Sequence, residues 1–114
     1  MKVAVFGATG TIGTALLPVL ARSHDVVALS RREREGAGVN WLRADAGDAE
    51  SVRRALEGVD VAYYLVHSLG TRDFEERDLA AARTVAEEAG RAGLSQLIYL
   101  GGLGDDAPEL STHL

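Results

Sequence analysis

The chain has 114 residues, 46% hydrophobic and 25% charged, with a formal net charge of −5 at pH 7. Such a length predicts one compact unit, residues 1–114, that buries roughly two thirds of its unfolded surface. The acidic balance lacks a nucleic-acid footprint. The absence of cysteine excludes disulfides, a thiolate nucleophile and a thiolate metal site, and no apolar run approaches the ~20 residues that span a bilayer. Val3–Phe6 is too short for the apolar region of a secretory signal. A cytoplasmic protein without nucleic-acid or membrane partners is expected.

Met1–Phe6 is a short apolar run that reads as a buried strand. It leads directly into Gly7-Ala8-Thr9-Gly10-Thr11-Ile12-Gly13. Beyond it, Ile12, Ala15, Leu16, Val19 and Leu20 recur at helical spacing. Strand, glycine turn and helix in that order form a nucleotide-phosphate cradle. Gly7 suits a tight exit from the strand, Gly10 the approach of a pyrophosphate to the backbone, and Gly13 close packing of helix on strand. The free N–H groups at the helix start would face the phosphates, with the hydroxyls of Thr9 and Thr11 at the same lip and Ile12 between them. A plain strand-to-helix turn is the alternative. A P-loop is disfavoured, because no Gly-Lys-Ser/Thr follows and the only lysine is Lys2. Pro18, inside the helix, removes one backbone donor downstream of this end.

Val26–Ser30 reads as a second strand, 31–38 as a polar loop and Val39–Ala44 as a third strand. In dinucleotide folds an acid at the end of the second strand accepts from the adenosine ribose and selects NAD. Here the chain reads Ser30-Arg31-Arg32. Arginine can bind a 2′-phosphate through charge-assisted hydrogen bonds, and Ser30 offers a hydroxyl. This favours NADP(H) over NAD(H); a solvated basic loop is the alternative, since Glu33, Arg34 and Glu35 continue the run. Asp45-Ala46 follows the third strand, where Asp45 would accept the adenine amino group, or act as a loop acid or helix cap.

Asp48–Ser51 opens a short helix carrying Val52, Ala55 and Leu56 on one side and ending by Gly58. Val59–Val66 is a fourth strand, with Tyr63 and Tyr64 expected on opposite faces. Ligands in open α/β sheets sit beyond the carboxyl ends of the strands, so Val66, His67 and Ser68 are expected to line the cofactor cleft. His67 is placed to act as an acid or base, or simply to shape the cleft by hydrogen bonding. Thr71 or Asp73 would cap a long helix to about Ala89, whose inward stripe is Ala82, Val85, Ala86 and Ala89. Gly90 and Gly93 would then break it before a fifth strand, Gln96–Leu100. The alternation β-α-β-β-α-β-α-β predicts a parallel sheet with right-handed crossovers.

The glycine turn, Tyr63-Tyr64-Leu65-Val66-His67-Ser68, Tyr99-Leu100-Gly101-Gly102-Leu103-Gly104 and Leu110-Ser111-Thr112-His113-Leu114 occur in that order. Together they resemble the atypical short-chain dehydrogenase/reductase superfamily, in its NmrA-like branch. That branch includes bacterial NAD(P)H-binding and nucleoside-diphosphate-sugar epimerase-like proteins. The resemblance covers the whole chain. It implies a Rossmann-type doubly wound sheet of order 3-2-1-4-5 in three α/β/α layers, with a cofactor on Gly7, Gly10, Gly13 and Arg31. Dehydrogenases of this superfamily carry a serine after the fifth strand and a Tyr-x-x-x-Lys pair beyond it. Gly101-Gly102 takes the place of the serine, and a chain whose only lysine is Lys2 cannot hold the pair. Members also continue past the Ser-x-His-Leu segment, so a C-terminally truncated domain without its substrate-binding region is expected. Three classes remain: a reductase passing hydride from NADPH to a small molecule, a dinucleotide-sensing module without turnover, and an α/β domain whose turn is structural. An edge strand or sheet face left open by truncation would favour self-association.

Overall fold

The computed structural model describes residues 1–65 and 72–99, with 72–78 described as helix only. Five strands form one parallel sheet: β1 (Lys2–Phe6), β2 (Asp25–Ser30), β3 (Asn40–Arg43), β4 (Val61–Tyr64) and β5 (Gln96–Tyr99). Their order is β3-β2-β1-β4-β5, as expected. Three helices connect them: α1 (Thr11–Ala21), α2 (Ala49–Ala55) and α3 (Arg72–Ala92). β2 and β3 are joined by a loop alone.

The central strands are apolar on both faces, as a sheet covered on both sides requires. Alternation along each strand sorts them into two cores. On one face Ala4, Phe6, Val27, Leu29, Ala62, Tyr64 and Leu97 pack against Val52 of α2, its C-cap Leu56, and Val85 and Ala89 of α3. On the other, Val3, Val5, Val26 and Ala28 pack against Leu17 and Leu20 of α1. The result is three α/β/α layers, a Rossmann-type arrangement. Tyr63 and Tyr64 divide between the faces as expected, and Tyr64 stacks on Tyr99 at 5.4 Å between ring centroids. No helix among the described residues is long and apolar enough to cross a membrane.

Two details differ from expectation. The buried positions of α1 are Gly13, Leu17 and Leu20, whereas Ile12 and Val19 are 37% and 57% exposed. The contact of Gly13 with the β1 exit fixes the helix phase, and at 100° per residue Leu17 and Leu20 follow it inward. Gly90 lies inside α3, which runs to Ala92 before Gly93 ends it. The buried stripe of Val85 and Ala89 holds the helix together, outweighing a glycine that costs about 1 kcal/mol relative to alanine.

Register carries the carboxyl ends of the strands to one edge. Phe6 pairs with Leu29 of β2 and with Tyr64 of β4, and Ser30 pairs with Arg43 of β3. The Leu65 N–H donates to the Phe6 carbonyl at 2.9 Å, and the Ala44 N–H to the Ser30 carbonyl at 2.8 Å. The opposite edge is closed by Asp60, which accepts from the Lys2 N–H at 2.8 Å through its carboxylate and from the Ser95 N–H at 2.9 Å through its carbonyl.

Candidate functional site

β1 ends at Phe6 and the chain turns at Gly7, whose φ of 81° lies in the left-handed region open to glycine. The Gly10 N–H closes the turn onto the Gly7 carbonyl at 3.2 Å. Gly10 is then the N-cap of α1, with extended backbone (φ −75°, ψ 178°). The Thr14 N–H donates to its carbonyl at 2.9 Å, beginning the helix. Gly13 faces inward: a Cβ there would fall on the Gly7 carbonyl oxygen and stand 2.8 Å from Ala8 Cα. A Cβ on Gly10 would meet only that same oxygen, at 3.5 Å, an ordinary contact. Thr9, Gly10, Thr11 and Ile12 are exposed. The helix start has no side-chain cap and no acid in its first turn. Its positive end and first N–H groups are therefore left for something outside the helix.

At the end of β2, Ser30 is half-buried and Arg31 and Arg32 are exposed. The Arg32 N–H donates to Ser30 Oγ at 3.2 Å, which shapes the turn. The loop then runs through left-handed backbone at Gly36, Ala37 and Gly38 (φ 107°, 59° and 68°). It is fastened by Trp41 of β3, whose indole N–H donates to the Gly36 carbonyl at 3.0 Å.

After β3, Asp45 organises its own turn. Its Oδ1 accepts from the Gly47 N–H at 2.9 Å, and its N–H donates to Ser51 Oγ at 2.9 Å. Ala46 packs against the core under α2. The cap of α2 is Asp48, which accepts from the Glu50 N–H at 3.1 Å. Of the roles open to Asp45, helix capping is thus taken by its neighbour. Val66, His67 and Ser68 lie outside the described residues. The rest of the predicted set, Gly7 with Thr9–Gly13, Ser30–Arg32 and Asp45–Ala46, follows the ends of β1, β2 and β3 along one sheet edge. Two residues at that edge are absent from the sequence-derived set: Ser51, which holds Asp45, and Arg43, which stands in register with Ser30. A serine soon after a capping acid was a signal for the first; nothing short of strand register signals the second.

No ion pair among the described residues involves Arg31, Arg32 or Arg43; those present join Arg53 and Arg91 to Glu88, and Arg54 to Glu50. The described residues contain no group of three or more His, Cys, Asp or Glu side chains able to hold a metal ion. The groove lined by Arg53, Leu56, Gly58, Glu88 and Arg91 lies where α2 and α3 end, at the edge opposite the glycine turn.

A parallel sheet of order 3-2-1-4-5 with a glycine turn into α1 defines a Rossmann-type domain of the dinucleotide-binding class. Residues 7–113 match the family model described as NAD(P)H-binding, and the chain belongs to that family. It is 32% identical over 115 residues to sterol demethylase protein B of Methylococcus capsulatus, covering 91% of this chain and 35% of that protein. It is 34% identical over 109 residues to the (4-alkanoyl-5-oxo-2,5-dihydrofuran-3-yl)methyl phosphate reductase of Streptomyces griseus, covering 92% and 36%. The chain therefore spans about a third of the length of these relatives. The UDP-N-acetylglucosamine 4-epimerase of Bacillus cereus shares the fold, with a TM-score of 0.78 at 18% identity over 98% of this chain and 42% of that one.

Proposed function

We propose that residues 1–114 are the cofactor-holding part of an atypical short-chain dehydrogenase/reductase of NmrA-like type. In this reading they bind NADP(H) in preference to NAD(H), and the whole protein reduces a small organic substrate. Gly10 carries the reading. Backbone conformation accounts for Gly7 and close packing for Gly13. Neither accounts for Gly10, whose φ any residue adopts and whose Cβ would have room. A glycine that the fold does not need, at the N-cap of an acid-free helix start, suits a pyrophosphate lying against the backbone.

The N–H groups of Thr11, Ile12 and Gly13 then face the pyrophosphate, and the hydroxyls of Thr9 and Thr11 add donors. Ser30, Arg31 and Arg32 take the adenosine ribose and its 2′-phosphate. Asp45, with one carboxylate oxygen held by Gly47, offers the other to the adenine amino group beside Ala46. Val66, His67 and Ser68, which follow β4 in the sequence, are proposed to line the cofactor cleft. The cofactor supplies hydride when bound; these residues bind and orient it. The accompanying proton falls to His67 or to a residue outside this chain. The reductase assignment draws on the Streptomyces relative.

A sensing module without turnover is the second reading. Substrate-dependent NADPH oxidation by the longest natural form separates the two readings. Cofactor binding itself is tested by calorimetric titration with NADPH and NADH. The expected result is tighter NADPH binding, abolished in Gly10→Asp and reduced to the NADH level in Arg31→Ala. Equal affinities would remove the 2′-phosphate preference. No binding of either by a folded chain would remove the cradle.

A further inference from the structure

We infer that Arg43 is a further arginine for the 2′-phosphate, presented from β3 beside Ser30; this rests on the NADP(H) reading above. Parallel register pairs Arg43 with Ser30, and the Ala44 N–H locks that register onto the Ser30 carbonyl at 2.8 Å. The Ala28–Trp41 pair, two residues earlier, packs in the core beneath α1. Strand alternation returns Ser30 and Arg43 to that same face. It is the face of α1, whose start carries the glycine turn. Neighbouring strands lie about 4.8 Å apart, so the two side chains start from adjacent positions.

The chemistry fits a phosphate dianion. Ser30 Oγ accepts from the Arg32 N–H, leaving its own proton to donate outward. Arg43 is exposed and has no ion-pair partner among the described residues, unlike Arg53, Arg54 and Arg91. A phosphate monoester carries about −1.5 to −2 charges at pH 7, more than one guanidinium neutralises. Arg31 and Arg32 follow Ser30 along the chain, and Arg43 adds a guanidinium from the adjacent strand.

Arginine on an edge strand also deters sheet-to-sheet pairing. That role does not distinguish nucleotides with and without a 2′-phosphate, and the test uses this difference. Wild type, Arg43→Gln and, as a charge-matched control remote from the site, Arg54→Gln are titrated with 2′,5′-ADP and with 5′-ADP, circular dichroism confirming the fold. In Arg43→Gln the expected loss is about tenfold in affinity for 2′,5′-ADP, with 5′-ADP changed less than about twofold, as for one charge-assisted contact. Arg54→Gln should match wild type with both. Equal loss with both ligands, or none with either, overturns the role of Arg43 while wild type still prefers 2′,5′-ADP. A wild type without that preference overturns the NADP(H) reading and this inference with it.

Discussion

The carboxylate of Glu88 on α3 accepts from Nε of Arg53 on α2 at 3.0 Å, although Glu88 is only 2% exposed. Arg91, one turn further along α3, adds a second contact at 2.8 Å. The hydrogen bond from Arg53, with the charges of Arg53 and Arg91, holds the Glu88 carboxyl below its ordinary value of 4.5 against the opposing effect of burial. A carboxyl lowered on folding contributes stability that is fully present above its unfolded value and is lost as pH falls through the folded one. Glu88→Gln should therefore lower the melting temperature at pH 7, and the gap to wild type should narrow as pH is taken below 4.5. Thermal melts of both proteins across that range check it; a gap independent of pH would show that the charge is not what Glu88 contributes.

Gly13→Ala and Gly10→Ala should part company. The first drives a methyl into the Gly7 carbonyl and the Ala8 backbone, and should cost about 1–3 kcal/mol, as overpacking does. The second places a methyl in ordinary contact with the Gly7 carbonyl oxygen, at 3.5 Å and an accessible φ, and should leave stability within about 1 kcal/mol. Nucleotide titration should nonetheless show weakened binding in Gly10→Ala. Denaturant melts alongside titrations separate the two effects.

Leu17 is 2% exposed and sits in the core that seats α1 on the sheet. Leu17→Ala should cost about 2–5 kcal/mol in denaturant unfolding. Because α1 begins at the glycine turn, the same variant should also weaken NADPH binding at temperatures where it remains folded.

Asp48 caps α2 through the Glu50 N–H. Asp48→Ala should cost about 1 kcal/mol and leave nucleotide affinity unchanged. Asp45→Asn should do the reverse, since its turn contact through Oδ1 survives while the acceptor offered to adenine is altered. Paired melts and titrations check both.

Much of this was legible because the sheet is buried on both sides. Apolar runs such as Val3–Phe6 and Val26–Leu29 declare themselves locally, and their alternation with helical spacing fixes the topology. The phase of α1 was not legible, because it depends on Gly13 meeting Gly7 across the turn rather than on where apolar residues fall. Gly90 was misjudged because tertiary packing of Val85 and Ala89 decides the helix. Asp45 and Asp48 are three residues apart, and spacing alone does not say which of them caps. Arg43 stayed hidden because its meaning arises only from register with Ser30, a relationship between residues thirteen apart.

Trp41 is the chain's single tryptophan. It lies on an edge strand with its indole bonded to the loop at Gly36, remote from the core under α2 and α3. Intrinsic emission therefore watches the β3 border and its seat on the core under α1, not the core on the opposite face of the sheet. If that border opens before the helices melt, the emission transition will precede the far-ultraviolet dichroism transition, and a stability taken from fluorescence alone would belong to the β2–β3 margin and not to the whole domain.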